Sequence, residues 1–450
     1  MENRVQLITY VDRLGGGGIA ELQALLANRF ADLFGGVHLL PFYDPIDGAD
    51  AGYDPSDHTR VDPHLGTWDE VKALGEVVPV MADLIANHIS VNSSQFADFM
   101  RLGPQSQFAG LFLTQDAIFG DEAKEEDLAK ILRLRAEAPF TTVQPEVGPP
   151  QVLWTTFTSE QLDINVEHPV GRAYLDSILA AFARGGVAMI RLDAAGFAIK
   201  RAGTSCFMLP ETYEFIGELA QAARQQGMES LVEVHGHYLE QVEVAKRVDR
   251  VYDFALPPLV LHALYTGAGR PLRDWLMMSP RNALTVLDTH DGIGVIDAGP
   301  SSDGKPGLIS QTEVDELVEE IHRRSHGQSR KASGVAAKNV DDCQINCTFY
   351  DALGRDDTAY LIARAVQFFA PGVPQVYYMG LLAAENDMVL LERTGEGRDI
   401  NRSRFTAEAL DSACSRPVVQ ALEVLIRFRN QNPAFGGKLE VHNDAPDSLL

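Results

Sequence analysis

The chain has 450 residues, 45% of them hydrophobic, with Gly and Pro at ordinary levels, so it has material for a large core and disorder is excluded as the default. Its 63 acidic against 38 basic residues give a formal net charge of −25, which argues against nucleic acid and anionic membrane surfaces as partners. In so acidic a chain, an arginine in the right loop is informative, because any bound anion must be held against the overall field.

In chain order, short apolar, β-branched runs predict strands at Val5–Asp12, Gly36–Tyr43, Val78–His88, Val187–Ala194, Ser230–His235, Arg250–Leu256, Ala283–Asp291 and Val373–Met379. Between them, helical periodicity marks Ile19–Phe34, Pro169–Ala183, Pro210–Gln226, Thr312–Arg324, Asp356–Phe369 and Val418–Asn430. Eight alternations favour a closed α/β barrel, a (β/α)₈ fold. Two long intervals break the rhythm, from about Ser90 to Asn165 and from about Ala298 to Phe349, and are expected to be inserted subdomains or lids. The predicted division is a barrel of residues 1–88, 166–291 and 354–434, a first insertion 89–165, a second insertion 292–353 with an acceptor loop, and the start of a small C-terminal β-domain at 435–450, where KLEVHN reads as a first strand. The Gly15–Gly18 run has the wrong spacing for a dinucleotide fingerprint and reads as a βα turn.

The N-terminal MENRVQLITYVDRL has no signal-peptide apolar core, no apolar run approaches a membrane span, and four scattered cysteines suggest a reducing compartment. A cytoplasmic protein is expected, as monomer or homodimer. Cys343 and Cys347 form C-x₃-C without nearby histidines and read as free thiols.

Ionisable residues close several apolar strands: Asp83 and His88, Arg191 and Asp193, Glu233 and His235, His290 and Asp291. Residues two apart share a strand face. Any one alone is best read as a satisfied ion pair or cap, since an unpaired buried charge is costly. Arg191, Asp193, Glu233, His290 and Asp291 converging on one barrel mouth point instead to chemistry. Paired carboxylates flanking a sugar are the tools of glycoside cleavage, and a retaining enzyme holds them about 5–5.5 Å apart. A metal ranks lower because no H-x-H or H-x₃-H ligand pair lies within a predicted strand or helix. No metal and no cofactor are expected.

At these residues the sequence resembles glycoside hydrolase family 13, the α-amylase family: DLIANH, IRLDAAGF, LVEVHG and VLDTHD match its four strand-end motifs in order. Over nearly the whole chain it is similar to the sucrose phosphorylase group, through GADAGYDPSDHTRVDPHLGTWDEV, AGTSCFMLPETY, VDRVYDFALPPLVLHAL, LDTHDGIGVID, AVQFFAPGVPQVYYMG and GRDINR. The resemblance implies Asp193 as nucleophile, Glu233 as acid/base and Asp291 as the carboxylate that steadies an oxocarbenium-like transition state. It implies Arg191 holding Asp193 ionised, and His88 and His290 on glucose hydroxyls. Asp50 and Arg398 would pair across the far end of the glucose. Tyr53, Phe157, Gln161 and His235 complete the expected substrate site.

The same resemblance implies a phosphorylase, in which phosphate rather than water attacks the glucosyl ester. Arg135 in ILRLRAEAPF is the phosphate candidate, and Asp341, Asp342 and Gln344 in NVDDCQIN are the acceptor candidates. Where the sucrose enzymes carry a tyrosine and a proline this chain has Leu132 and Leu134, and where they carry a leucine and a tyrosine it has Asp342 and Cys343. Lost aromatic surface and an added negative charge predict a small neutral polyol as leaving group. The expected reaction is 2-O-α-glucosylglycerol plus phosphate giving α-glucose 1-phosphate plus glycerol. Sucrose phosphorolysis is the alternative, and a non-catalytic amylase-like binding subunit the alternative from another class.

Overall fold

The computed structural model describes residues 2–45, 49–120, 123–133, 138–301, 303–333 and 344–442, with the side chains of residues 49–50 excepted. Eight strands, β1 (Gln6–Thr9), β2 (Val37–Leu39), β3 (Val80–Ile85), β4 (Met189–Asp193), β5 (Glu229–Val232), β6 (Arg250–Asp253), β7 (Ala283–Thr285) and β8 (Val373–Tyr377), close a barrel in which neighbours in sequence are neighbours in space. Every pairing is parallel, and β1 joins β8 with Leu7 opposite Val376. All eight fall on the predicted runs.

Each strand is followed by a helix that covers its outer face: α1 (Ile19–Ala27), α2 (Trp68–Val77), α3 (Pro169–Arg184), α4 (Pro210–Gln225), α5 (Tyr238–Val244), α6 (Leu256–Thr266), α7 (Asp357–Phe369) and α8 (Pro417–Gln431). Four differ from the sequence reading, among them the short α5, which no predicted helix covers. The first stops at Ala27 rather than Phe34, where the Asn28 amide bonds the Ala24 carbonyl at 2.6 Å and competes with the helical ladder. A strand was expected through Leu256, but β6 ends at Asp253 and α6 begins there, because Pro257 and Pro258 occupy a first turn that needs no N–H donor. Its first seven residues are all buried, so α6 shows no polar face for periodicity to find. Unpredicted α2 is capped by Thr67, whose hydroxyl accepts from the Glu70 N–H.

Inside the barrel the floor is polar. Tyr252 donates to Gln375 at 3.0 Å and Gln375 to Gln6 at 3.3 Å, while His38 meets Asp83 at 2.9 Å. These groups are buried, so their pairing is what makes the polarity tolerable.

Both long intervals are built rather than empty. The first carries the helix Ser94–Leu102, a hairpin of Phe140–Val143 with Gln151–Trp154, and a ribbon in which Gln161–Asp163 runs antiparallel to His88–Ser90. Lys200, just beyond β4, reaches Asp163 at 2.7 Å with both side chains buried, and so ties this insertion to the barrel. The second carries the helix Gln311–Arg324 and a short pairing of Ile293–Gly294 with Gln344–Ile345. Of the expected strand in KLEVHN, Lys438–His442 has no regular structure, and 443–450 lie outside the described residues. Among the described residues no helix is long and apolar enough to cross a membrane. Cys206, Cys347 and Cys414 are free thiols, and Cys343 lies outside the described residues.

Candidate active site

A cavity of about 820 Å³ opens at the C-terminal end of the barrel, walled on one side by Lys130–Arg133 of the first insertion and on the other by Pro300, Ser301, Lys305 and Gln311 of the second. Tyr53, His88, Phe157, Gln161, Asp193, Glu233, His235, His290, Asp291, Gln344 and Arg398 all line it. Arg191 lies beneath, 2% exposed. The Asp50 side chain and Arg135, Asp341 and Asp342 lie outside the described residues.

The chain reaches this arrangement by turning sharply just past each strand. Asp193 ends β4 and Ala194 takes a left-handed conformation (φ 53°), which redirects the chain into a short 3-10 turn, Ala195–Phe197. Beyond β7, Thr289 and Gly292 bond each other's backbone reciprocally at 3.1 Å, so His290 and Asp291 stand at the tip of a tight turn. Gly292 has φ +109°, and a Cβ there would meet the Ile345 carbonyl oxygen at 2.4 Å, so no other residue fits.

Arg191 organises the floor. Its Nη1 donates to Asp83 at 2.5 Å, Asp193 at 2.8 Å and the Tyr53 hydroxyl at 3.2 Å, and its Nη2 stands 2.6 Å from Glu233 Oε1. Burial pushes the Asp83 carboxyl up, but His38 and Arg191 outweigh it and hold Asp83 at about 2. Asp193 behaves oppositely. Burial drives it well above the usual carboxylate range against the pull of Arg191, and the charge and hydrogen bond of Glu233 push the same way. The one Arg191 guanidinium is thus divided among three carboxyls, Asp83, Asp193 and Glu233. Asp193 and Glu233 both meet the Arg191 guanidinium, at 2.8 Å and 2.6 Å, and line the same cavity.

Asp291 is set apart electrostatically. Burial opposes its ionisation, but Arg398 at 2.8 Å, His290 at 3.3 Å and Arg402 at 3.6 Å hold it far below the ordinary range. His290 is neutral: burial takes its imidazole down to about 3 despite Asp291. It stacks flat on Tyr53, centroids 5.0 Å apart, and its Nδ1 is buried with no hydrogen-bond partner among the described residues. His88 Nε2 donates to the Tyr53 carbonyl at 2.9 Å and packs edgewise on Phe157. The Gln161 amide reaches the same carbonyl at 3.5 Å. Aromatic faces, a neutral imidazole and the ionised Asp291 together form a pocket suited to a polyhydroxylated ring that gains positive charge.

Several residues at the site were not singled out in the sequence. Arg402 also donates from Nε to the His290 carbonyl at 2.9 Å, and its position four beyond Arg398 in GRDINR was the available signal. Phe197, Phe207 and Met208 line the cavity from stretches noted only as motifs. Asp297 closes the LDTHDGIGVID stretch without being assigned a role, and Glu240 had no local signal. Burial raises the Glu240 carboxyl to about 7.

With the geometry in view, the comparisons with known proteins are specific. Residues 33–256 match the family described as "Alpha amylase, catalytic domain". The chain is 59% identical over 450 residues to a sucrose phosphorylase of Agrobacterium vitis, covering 100% of this chain and 92% of that one. It is 40% identical over 444 residues to a glucosylglycerol phosphorylase of Marinobacter adhaerens, covering 98% and 90%. Among solved structures, a sucrose 6F-phosphate phosphorylase from Thermoanaerobacter thermosaccharolyticum aligns with a TM-score of 0.90 at 38% identity, over 99% of this chain and 90% of that one.

Proposed function

The chain belongs to the α-amylase family, within its sucrose phosphorylase branch, and from that premise we propose that it is a retaining α-glucoside phosphorylase that forms α-glucose 1-phosphate. One observation carries the reading: Asp193 and Glu233 stand on one guanidinium, that of Arg191, in the same cavity in which Arg398 holds Asp291 ionised.

That division suits a double displacement. Ionised Asp193 attacks the anomeric carbon as Glu233 passes its proton to the glycosidic oxygen, which leaves as an alcohol. The product is a β-glucosyl ester on Asp193. A phosphate oxygen then attacks the same carbon, its proton goes to Glu233, and the ester bond breaks to restore the Asp193 carboxylate. Asp291, ionised throughout, opposes the positive charge that builds on the ring in both steps. Arg191 keeps Asp193 and Glu233 side by side. His88, His290 and Arg398 would bind glucose hydroxyls, with Tyr53 and Phe157 against the ring and Asp50 across from Arg398. Arg135 is proposed for the phosphate, and Asp341, Asp342 and Gln344 for the acceptor.

For the donor, the 59% identical relative named sucrose phosphorylase supports sucrose. A second reading, 2-O-α-glucosylglycerol, rests on Leu132, which lines the rim 38% exposed and presents no aromatic face to a fructose ring. Equal concentrations of the two donors in excess phosphate, with glucose 1-phosphate followed against time, decide between them by kcat/KM. Cleavage of either donor to free glucose, with no glucose 1-phosphate from either, would show a hydrolase and overturn the proposal.

A further inference from the structure

We propose that Asp297 is a positioning residue that acts on the reaction through His235, fixing the imidazole so that its Nε2 edge faces the acceptor side of the cavity beside Glu233. The inference rests on the phosphorylase reading for its consequence, and on geometry for the arrangement itself.

Asp297 sits on a 3-10 turn, Ile296–Ala298, where the chain leaves β7 for the second insertion, and it is fully buried. Its carboxylate is held from three directions. Oδ2 meets His235 Nδ1 at 3.3 Å, and Oδ1 accepts from the Gly236 N–H at 3.2 Å and from the Gln241 amide of α5 at 3.1 Å. A Cβ at Gly294 would stand 3.0 Å from Asp297 Oδ2 and 3.5 Å from His235 Cε1, so the close approach of acid and ring depends on a glycine beside them. The imidazole also lies flat on Phe254 of the β6 end, centroids 3.8 Å apart. Two contacts thus fix the ring's plane and its Nδ1–H.

That leaves Nε2 for the cavity. It stands 3.8 Å from Glu233 Oε1 and 2.6 Å from the Gln344 amide nitrogen. The other end of that amide, Gln344 Oε1, is buried without a partner among the described residues. An amide can meet either state of the ring: its N–H donates to a neutral Nε2, and turned over its oxygen accepts from a protonated one. The Nδ1–H bond to Asp297 is common to both. The charged groups facing the ring are Asp297 from the turn, Glu233 on its own segment and Asp291 beyond β7, with Arg191 behind Glu233. Burial lowers the imidazole's pKa, but Asp297 first, then Glu233 and Asp291, outweigh it and raise it. Asp297 thereby keeps a donor edge beside the group that must exchange protons with leaving and attacking oxygens.

The test is a double-mutant cycle of Asp297→Asn and His235→Asn, with thermal unfolding recorded for each protein. In the parent, Asp297→Asn should raise the KM for phosphate about tenfold, and move the alkaline limb of the pH profile acidward by about one unit. In the His235→Asn background the same change should alter either quantity less than about twofold, because the intermediary is gone. Equal effects in both backgrounds would overturn the proposal. A second measurement does not depend on turnover: imidazole NMR, with His235 assigned by its absence in His235→Asn, should show its titration fall by about one unit or more in Asp297→Asn. An unmoved titration also overturns it. If the parent protein forms no glucose 1-phosphate, the phosphorylase reading fails, and the NMR titration still decides whether Asp297 governs His235.

Discussion

Arg191 Nη2 stands 2.6 Å from Glu233 Oε1, while the same guanidinium holds Asp193 at 2.8 Å and Asp83 at 2.5 Å. The proposed acid/base and nucleophile are therefore spaced by one buried cation rather than each by its own surroundings. The barrel makes this possible, because Arg191 and Asp193 share a face of β4, Asp83 lies opposite Arg191 on β3, and Glu233 follows β5 on the other side.

Removing that cation should cost stability as well as activity. Arg191→Met leaves Asp83, Asp193 and Glu233 buried around an uncharged side chain, and breaking a buried ion pair in this way costs about 3–5 kcal/mol. Arg191→Lys keeps the charge but not the fork, so it should recover stability better than activity. Urea unfolding of the three proteins measures this, and a loss under about 1 kcal/mol in Arg191→Met would mean the guanidinium is not what holds the carboxyls together.

Asp193→Asn should lower kcat by about four orders of magnitude or more while the melting temperature stays close to that of the parent. The amide is nearly isosteric and accepts the Arg191 contact, yet cannot attack the anomeric carbon. Substantial glucosyl transfer by this variant would place the nucleophile elsewhere.

Glu233→Gln separates acid catalysis from nucleophilic attack. With a donor whose leaving group needs protonation the variant should lose about 10²–10⁴-fold. With α-glucosyl fluoride, whose leaving group needs no proton, formation of the ester on Asp193 should fall far less, as mass spectrometry of the trapped protein can follow. Equal losses on both donors would remove Glu233 from the acid role.

Acid should destabilise the fold earlier than an ordinary carboxylate-rich protein would suggest. Burial, aided by His88, takes the His58 imidazole down from 6.5 to about 3, and burial takes His290 to about 3 as well. Each folded pKa lies below its unfolded value, so from about pH 6.5 to 3 the unfolded chain binds protons that the folded one refuses. Stability then falls with falling pH by about 1.4 kcal/mol per unit for each group. Asp83, held near 2 by His38 and Arg191 against burial, contributes above its ordinary 3.8 and loses that contribution as the pH drops toward 2. His58, bonded at Nδ1 to the Tyr174 hydroxyl at 2.8 Å, lines no part of the cavity. Replacing it with Asn should lessen the slope of unfolding free energy against pH between 6 and 4 by about 1.4 kcal/mol per unit. An unchanged slope would mean His58 is protonated in the folded protein.

The strands and the four clusters at their ends were legible because their signals are local. A barrel strand covered on both faces is a run of apolar, β-branched residues, and an Arg-x-Asp at its end breaks that run visibly. What escaped was apolar on every side, as α6 is, or took its meaning only from distant partners, as Glu240 does at the cavity wall.

From the amino-acid order alone came the barrel, its two interruptions, and the carboxylates and histidines gathered at one end, since each is written within a few neighbouring residues. Tertiary structure decided how those groups share charge. His235 and Asp297 are 62 residues apart, Arg191 and Asp83 are 108, and Tyr53 and Arg191 are 138. Such pairs meet only when the sheet closes and the insertions fold over its mouth, and burial there multiplies electrostatic effects that water would screen. Side by side in that setting, Asp193 is pushed up and Asp291 down, a difference between two aspartates that no local pattern encodes.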